Sequence, residues 1–142
     1  MIRPIEERDY PRFIELAAQL GYPVDPATAE AGLKRKSLRS DETTLVYEDP
    51  QLGVVGWIGC RVVDQAYRAP YGDVSGLVVD AAFRSRGYGA ELLGAAEDWF
   101  RDKGVAEVLV RSGTQREAAH RFYDREGYER YKTQLVVRKS LG

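Results

Sequence analysis

The stretch that most constrains this chain runs from Val78 to Ala90 and reads VVDAAFRSRGYGA. Before it, Val74, Leu77, Val78 and Val79 form an apolar, largely β-branched run of the kind a buried strand carries, with Gly76 as its weak point. After it, Leu92, Leu93, Ala96, Trp99 and Phe100 recur at the spacings of an amphipathic helix. A strand therefore passes into a helix through a turn that holds Gly87, Gly89 and two cations, Arg84 and Arg86. A helix N-terminus presents unpaired N–H groups and the positive end of the helix dipole. Glycines there remove the Cβ atoms that would keep an anion off the backbone. The pattern describes a pyrophosphate-binding turn.

What the motif lacks narrows the ligand. A Walker A loop needs Gly-Lys followed by Ser or Thr, and the chain has no such run. A dinucleotide fingerprint needs a third glycine three residues after the second, where this chain has Leu92. What remains is Arg84-x-x-Gly87-x-Gly89, followed by Ala90. It resembles the signature of the GNAT superfamily of acyl-CoA N-acyltransferases, whose loop cradles the pyrophosphate of coenzyme A.

A second motif follows in the expected order. Val105 to Arg111 alternates as a Val-rich strand, and Glu117 to Glu126 reads as a helix with Ala118, Ala119, Phe122 and Tyr123 on one face. Gly127 is placed to be its left-handed cap, and Tyr128 to begin another strand. Ala119, Phe122, Tyr123, Gly127 and Tyr128 are similar to the C-terminal GNAT motif Ala-x-x-Phe-Tyr followed by Gly-Tyr. The resemblance extends over nearly the whole chain. Met1 to Ile5 is expected as the first strand, Arg8 to Gly21 and Pro26 to Arg39 as two helices, and Thr43 to Glu48 and Val54 to Val63 as strands. It implies an α/β (α+β) GNAT fold: a mixed sheet of about six to seven strands, about four helices, and a splay between strands four and five.

Composition bounds the rest. The 142 residues suit a single domain over 1–142, and 44% hydrophobic content is too high for disorder. No apolar run approaches the roughly 20 residues of a membrane span, and Glu6, Glu7 and Asp9 stand where a signal peptide would be apolar. One cysteine, Cys60, excludes an intramolecular disulfide framework and fits a reducing, cytoplasmic setting. A net charge of −1 argues against nucleic-acid binding as a main role. A lone His120 makes no metal cluster or triad and is expected to pack along its helix. The run Lys34-Arg35-Lys36, with Arg39, reads as a solvated face.

The resemblance implies acetyl transfer from acetyl-CoA to a primary amine of a small molecule or peptide. The backbone of Leu77, Val78 and Val79 is expected to receive the pantetheine arm in strand fashion, with a bulge at Ser75-Gly76. Arg84, Ser85, Arg86, Gly87, Tyr88, Gly89 and Ala90 are the expected pyrophosphate cradle. Tyr123 matches the family's thiol-protonating tyrosine, because a phenol is protonated at neutral pH. Tyr22, in the break between the first two helices, and Tyr71, in a long aromatic loop from Asp64 to Asp73, are expected to line the acceptor pocket.

Two departures stand out. Relatives place a glutamate base on the fourth strand, where this chain has Ser75; Asp73 is the nearest carboxylate and is expected as the catalytic one, drawing the protonated amine beside Tyr22 and Tyr71 and taking its proton through water. The chain also contains no asparagine, so Ser112, Thr114 or Gln115 must replace the one that follows the fifth strand in relatives, while Arg116 is read as a solvated arginine at the helix start. These gaps keep open a second reading, a non-catalytic acyl-CoA sensor or interaction module. A homodimer is expected from the family and from an otherwise exposed edge strand, Gln134 to Arg138.

Overall fold

The apolar residues between Glu42 and Val79 fold into three long antiparallel strands, the centre of the sheet. A computed structural model describes residues 1–21 and 23–142, which form two compact units, Met1–Val110 and Arg111–Gly142. Tyr22 lies outside the described residues.

In the first unit the elements follow as β1 (Ile2–Pro4), α1 (Tyr10–Ala18), α2 (Pro26–Ser37), β2 (Glu42–Asp49), β3 (Gly53–Val63), β4 (Tyr71–Val79), α3 (Tyr88–Asp102) and β5 (Val108–Val110). The sheet order is β1-β2-β3-β4-β5, antiparallel except for the parallel β4–β5 pair. The central strand β3 is buried from Val54 to Cys60, so it reads as a continuous apolar run and not as an alternation. Helix α2 opens on Pro26, with the Asp25 carboxylate accepting from Thr28 N at 2.9 Å. Asp9 precedes α1 without capping it: its carboxylate accepts instead from Arg3 (2.7 and 3.0 Å) and Glu6 N (2.8 Å).

Neighbouring β3 residues send their side chains to opposite faces, and each face takes a helix. Trp57 joins Leu16, Ala17, Val46, Val54 and Val78 on the α1 side. Its ring stacks on Phe13 at 4.2 Å, and its indole N–H donates to Phe13 O. Gly56, the adjacent residue, faces Leu92 of α3. Gly72 likewise leaves room for Phe100, because a Cβ there would come within 2.7 Å of the ring.

The register of β3 with β4 shifts once. Gly59 opposes Gly76 and Cys60 opposes Val74, leaving Ser75 as the extra residue of a bulge. That is the position expected from the glycine next to it. The parallel β4–β5 ladder ends one residue earlier, at Val74 with Val110.

The second unit contains α4 (Glu117–Arg125), closed by Gly127 at φ +89°. Five strands are present among the described residues, against the six to seven expected. No strand begins at Tyr128 and none spans 134–138. A strand exists through its ladder, and this segment has none: Leu135, Val136 and Val137 stand 81–88% exposed.

Candidate functional site

The turn between β4 and α3 has the chemistry of an anion cradle. Gly87 caps α3 with φ +86°, a conformation open to glycine, and no side chain caps the first-turn amides. A Cβ built on Gly87 would meet nothing within 4 Å. Ser85 is the one non-glycine residue at positive φ, +65°, among the described residues. Its left-handed backbone lies two residues before that of Gly87. The Arg84 Nε donates weakly to Val79 O at 3.4 Å, and the Arg86 guanidinium lies 5.3 Å from the Phe83 ring centroid. Both arginines are exposed. Free amides, a helix N-terminus and two exposed cations fit a pyrophosphate.

Both ends of this turn are anchored by residues that sequence reasoning did not single out. Upstream, Asp80 N donates to Val55 O at 2.8 Å. The Asp80 carboxylate accepts from Arg12 Nη2 (2.5 Å), Gln19 Nε2 (3.4 Å) and Ala82 N (3.0 Å). The Ala82 N–H and then Arg12 hold its pKa below the usual carboxylate range. Downstream, the Tyr88 hydroxyl donates to Asp49 at 3.2 Å, and its ring lies 4.7 Å from that of Tyr47. Tyr88, expected in the cradle, thus turns its hydroxyl toward the end of β2; Gly89 and Ala90 lie in the first turn of α3. Arg12 and Asp80 are 68 residues apart in sequence, which no local pattern reports.

Beyond Val74, β4 has a strand partner on its β3 side and none in β5. Leu77, Val78 and Val79 lie on this stretch, Val78 buried in the α1-side core and its neighbours half-buried. The free edge has the backbone groups that strand-like capture of an extended ligand requires.

The two acceptor-side residues lie at the other end of the strand. Tyr71 begins β4 instead of lining a loop, is 4% exposed, and has the Arg68 guanidinium 4.3 Å from its ring centroid. Along the strand it is eight steps, roughly 26 Å, from Val79. Asp73 is 4% exposed, and its carboxylate accepts from Arg61 Nε at 2.9 Å. It is a paired, buried carboxylate.

In the second unit, Tyr123 lies on α4 between the rings of Phe122 (5.1 Å) and Tyr128 (5.8 Å). Burial pushes its phenol above the ordinary value, against a smaller opposing pull from Arg116. Ser112 Oγ is the one buried side-chain polar atom without a hydrogen-bond partner among the described residues. Ser112 is also one of the residues expected to replace the missing asparagine. Thr114, Gln115 and Arg116 are exposed in the loop before α4. His120 Nε2–H donates to Gly113 O at 2.8 Å, which ties the helix to that loop.

Elsewhere the residues are structurally satisfied. Burial pushes the Cys60 thiol up to about 12. In the cationic run, Lys34 pairs with Glu30 (3.1 Å), Lys36 with Glu42 (2.7 Å) and Arg39 with Asp41 (2.9 Å). Among the described residues, no group of three or more His, Cys, Asp or Glu is placed to hold a metal. No described helix is long and apolar enough to cross a membrane.

Comparison with known proteins agrees with this fold. Residues 2–128 match the model of the acetyltransferase (GNAT) family. The chain is 33% identical to glucosamine 6-phosphate N-acetyltransferase 1 of Oryza sativa over 117 residues, covering 77% of this chain and 70% of that protein. It is 48% identical over 56 residues to the N-acetyltransferase YhdJ of Bacillus subtilis, a match spanning 39% of each chain. Among solved structures, an aminoglycoside acetyltransferase, AAC(6')-Iy, in complex with a bisubstrate analogue superposes with TM-score 0.87 at 17% identity, over 99% of this chain and 97% of that one. A putative acetyltransferase of Agrobacterium tumefaciens superposes with TM-score 0.86 at 24% identity, over 98% and 99%. At these identities the two structures speak for the fold.

Proposed function

This chain belongs to the acetyltransferase (GNAT) family, and from that premise we propose that it is an acetyl-CoA-dependent N-acetyltransferase acting on a primary amine of a small molecule or peptide. The observation that carries the reading is the uncapped N-terminus of α3, opened by left-handed Gly87, directly after a strand whose outer edge is free of β5 past Val74. The named activities of the relatives support the same class of reaction.

When bound, acetyl-CoA supplies an acetyl thioester that an amine attacks with loss of the thiolate. The chain's part is to hold, orient and protonate. The first-turn amides of α3, with Arg84, Ser85 and Arg86, hold the pyrophosphate. The free edge of Leu77 to Val79 takes the pantetheine arm in extended form. Tyr123, by the motif it matches, keeps a proton for the departing sulfur, and its raised pKa keeps that proton in place at neutral pH. Ser112 Oγ is an unsatisfied group that a ligand would satisfy. Asp73 is given the part of an anchor for Arg61, so the amine proton leaves to water. Positioning alone can carry much of such an acceleration.

The paired state of Asp73 also favours the second reading, an acyl-CoA sensor without turnover. One experiment separates the two: calorimetry with acetyl-CoA, and free-thiol release over a panel of amines. Binding with thiol release on at least one amine supports the enzyme, and binding alone supports the sensor. Gly89→Val places a branched side chain in the cradle and is expected to abolish binding while the fold persists. Unchanged affinity in that variant would remove the cradle assignment.

We extend the reading to a cytoplasmic homodimer whose interface covers Leu135, Val136 and Val137, all strongly exposed in a single chain. Light scattering at micromolar concentration tests it, and a mass of one chain overturns it.

A further inference from the structure

The pyrophosphate turn has little to hold it from within. Residues 81–87 are mostly exposed, and the hydrogen bonds within the turn begin with Phe83 N to Asp80 O at 2.9 Å. A turn so poor in internal bonds would be mobile, and its amides would lose freedom when an anion bound. What fixes its upstream end comes from α1. Arg12 reaches two elements at once: its Nε donates to Val54 O of β3 (2.9 Å) while its Nη2 pairs with Asp80 (2.5 Å). Gln19, seven residues later and so on the same helical face, uses both ends of its amide. Its Oε1 accepts from Ala81 N (2.8 Å), and its Nε2 donates to Asp80 (3.4 Å). Two side chains thereby set the path of residues 80 and 81, from which the chain turns into the cradle. At the downstream end, the Tyr88 bond to Asp49 holds the start of α3.

We propose that Arg12 and Gln19 are positioning residues for the acyl-donor site, acting through Asp80 and Ala81 to hold the pyrophosphate turn in its binding shape before the ligand arrives; the proposal rests on the acetyl-CoA reading above. Neither residue needs to touch the ligand. Their effect is on what it costs to order the cradle, so it is read in affinity and in the mobility of the free protein. A merely structural tie between α1 and the sheet would be read in melting temperature alone.

Gln19→Ala is the cleaner variant, because Gln19 is exposed and its truncation leaves the core untouched. Asp80→Asn is the second, since it keeps the shape and weakens the pairing with Arg12. In the full chain, each is expected to weaken acetyl-CoA binding by calorimetry on the order of tenfold, the effect of losing about 1.4 kcal/mol. The double variant is expected to fall short of the product of the two singles, because both act on one clamp. Amide hydrogen exchange across residues 81–90 is expected to quicken in the ligand-free variants. Wild-type affinity in both variants, or a lowered melting temperature with unchanged affinity and exchange, overturns the clamp. Failure of the unmutated chain to bind acetyl-CoA overturns the underlying reading, and the clamp with it.

Discussion

The two halves of β4 are built to opposite purposes. From Gly72 to Val74 the strand is paired on both sides, with β3 and with β5, and all four residues from Tyr71 to Val74 are buried. From Ser75 to Val79 it is paired with β3 alone, begins with a bulge, and has only Val78 buried. The first half has its backbone and side chains satisfied within the fold. The second has no β5 partner and leads straight to a helix end without a side-chain cap. One strand thus serves as core at one end and, on the proposed reading, as the docking edge for the cofactor at the other, and a single extra residue, Ser75, marks the change. Substitutions in the first half are therefore expected to read out as stability, and those in or beyond the second as binding or turnover.

The largest effect is expected where the first half meets α3. Phe100 is 1% exposed and fills the space that Gly72 leaves. Phe100→Ala opens a cavity there and is expected to cost about 3–5 kcal/mol by denaturant unfolding. Acetyl-CoA affinity of the folded fraction should be near that of the parent. A variant that stays stable but loses affinity would break the division between the two halves.

Next in size is the separation of binding from chemistry. Tyr123→Phe keeps the ring between Phe122 and Tyr128 and removes only the hydroxyl. Turnover is expected to drop about 100-fold, with acetyl-CoA affinity unchanged. The pH profile sharpens this. A general acid works while protonated, so activity is present below its pKa and lost as pH rises through it. Burial raises the Tyr123 pKa, which moves the alkaline limb above the ordinary phenol value of about 10. The parent enzyme should show that limb and Tyr123→Phe should not. Equal turnover in the two proteins would reduce Tyr123 to a packing residue.

What could be read in advance divides along the same line. The turn was legible because its parts are consecutive: β-branched run, paired arginines, two glycines and an amphipathic stripe. The bulge is implied by the family resemblance, and Gly76 beside Ser75 in an otherwise apolar strand marks its place. The anchors of the turn were not legible, because Arg12 and Gln19 meet Asp80 across more than 60 residues and look like ordinary polar positions of a helix surface. The stretch before β4 is long for a hairpin and rich in aromatics, a pattern that places Tyr71 and Asp73 in a loop. Antiparallel pairing of Tyr71 with Val63 extends the strand over them. The strands expected after Gly127 rest on the family resemblance and on apolar content, and apolar content without a ladder partner makes no strand.

A smaller effect is expected at the Arg61–Asp73 pair. The Asp73 side chain is 6% exposed and that of Arg61 is 49% exposed, so water can replace part of what the guanidinium supplies. Arg61→Ala is expected to cost about 1 kcal/mol. Because Asp73 belongs to the paired half, the loss should appear in the melting temperature and leave the Michaelis constant for the amine within about twofold, a range worth no more than about 0.4 kcal/mol. A rise confined to cationic amines would instead return Asp73 to the acceptor site.

The smallest effect is expected at Ser85, where the open half continues into strained backbone. Its φ of +65° is one that a residue with a Cβ adopts at a cost of about 1–2 kcal/mol. Ser85→Gly removes that cost, but a glycine also gives the unfolded chain about 0.4–1 kcal/mol more conformational entropy to lose. The terms partly offset, leaving about 0.8 kcal/mol at mid-range, so unfolding should shift by about that much in the stabilising direction. Ser85→Val should move stability in the opposite direction, because a β-branched side chain tolerates the left-handed region least. The pair of variants separates strain from contact. If Ser85→Gly keeps acetyl-CoA affinity, the backbone of residue 85 is what the cradle uses, whereas a tenfold loss would assign the Ser85 hydroxyl a direct bond to the phosphate.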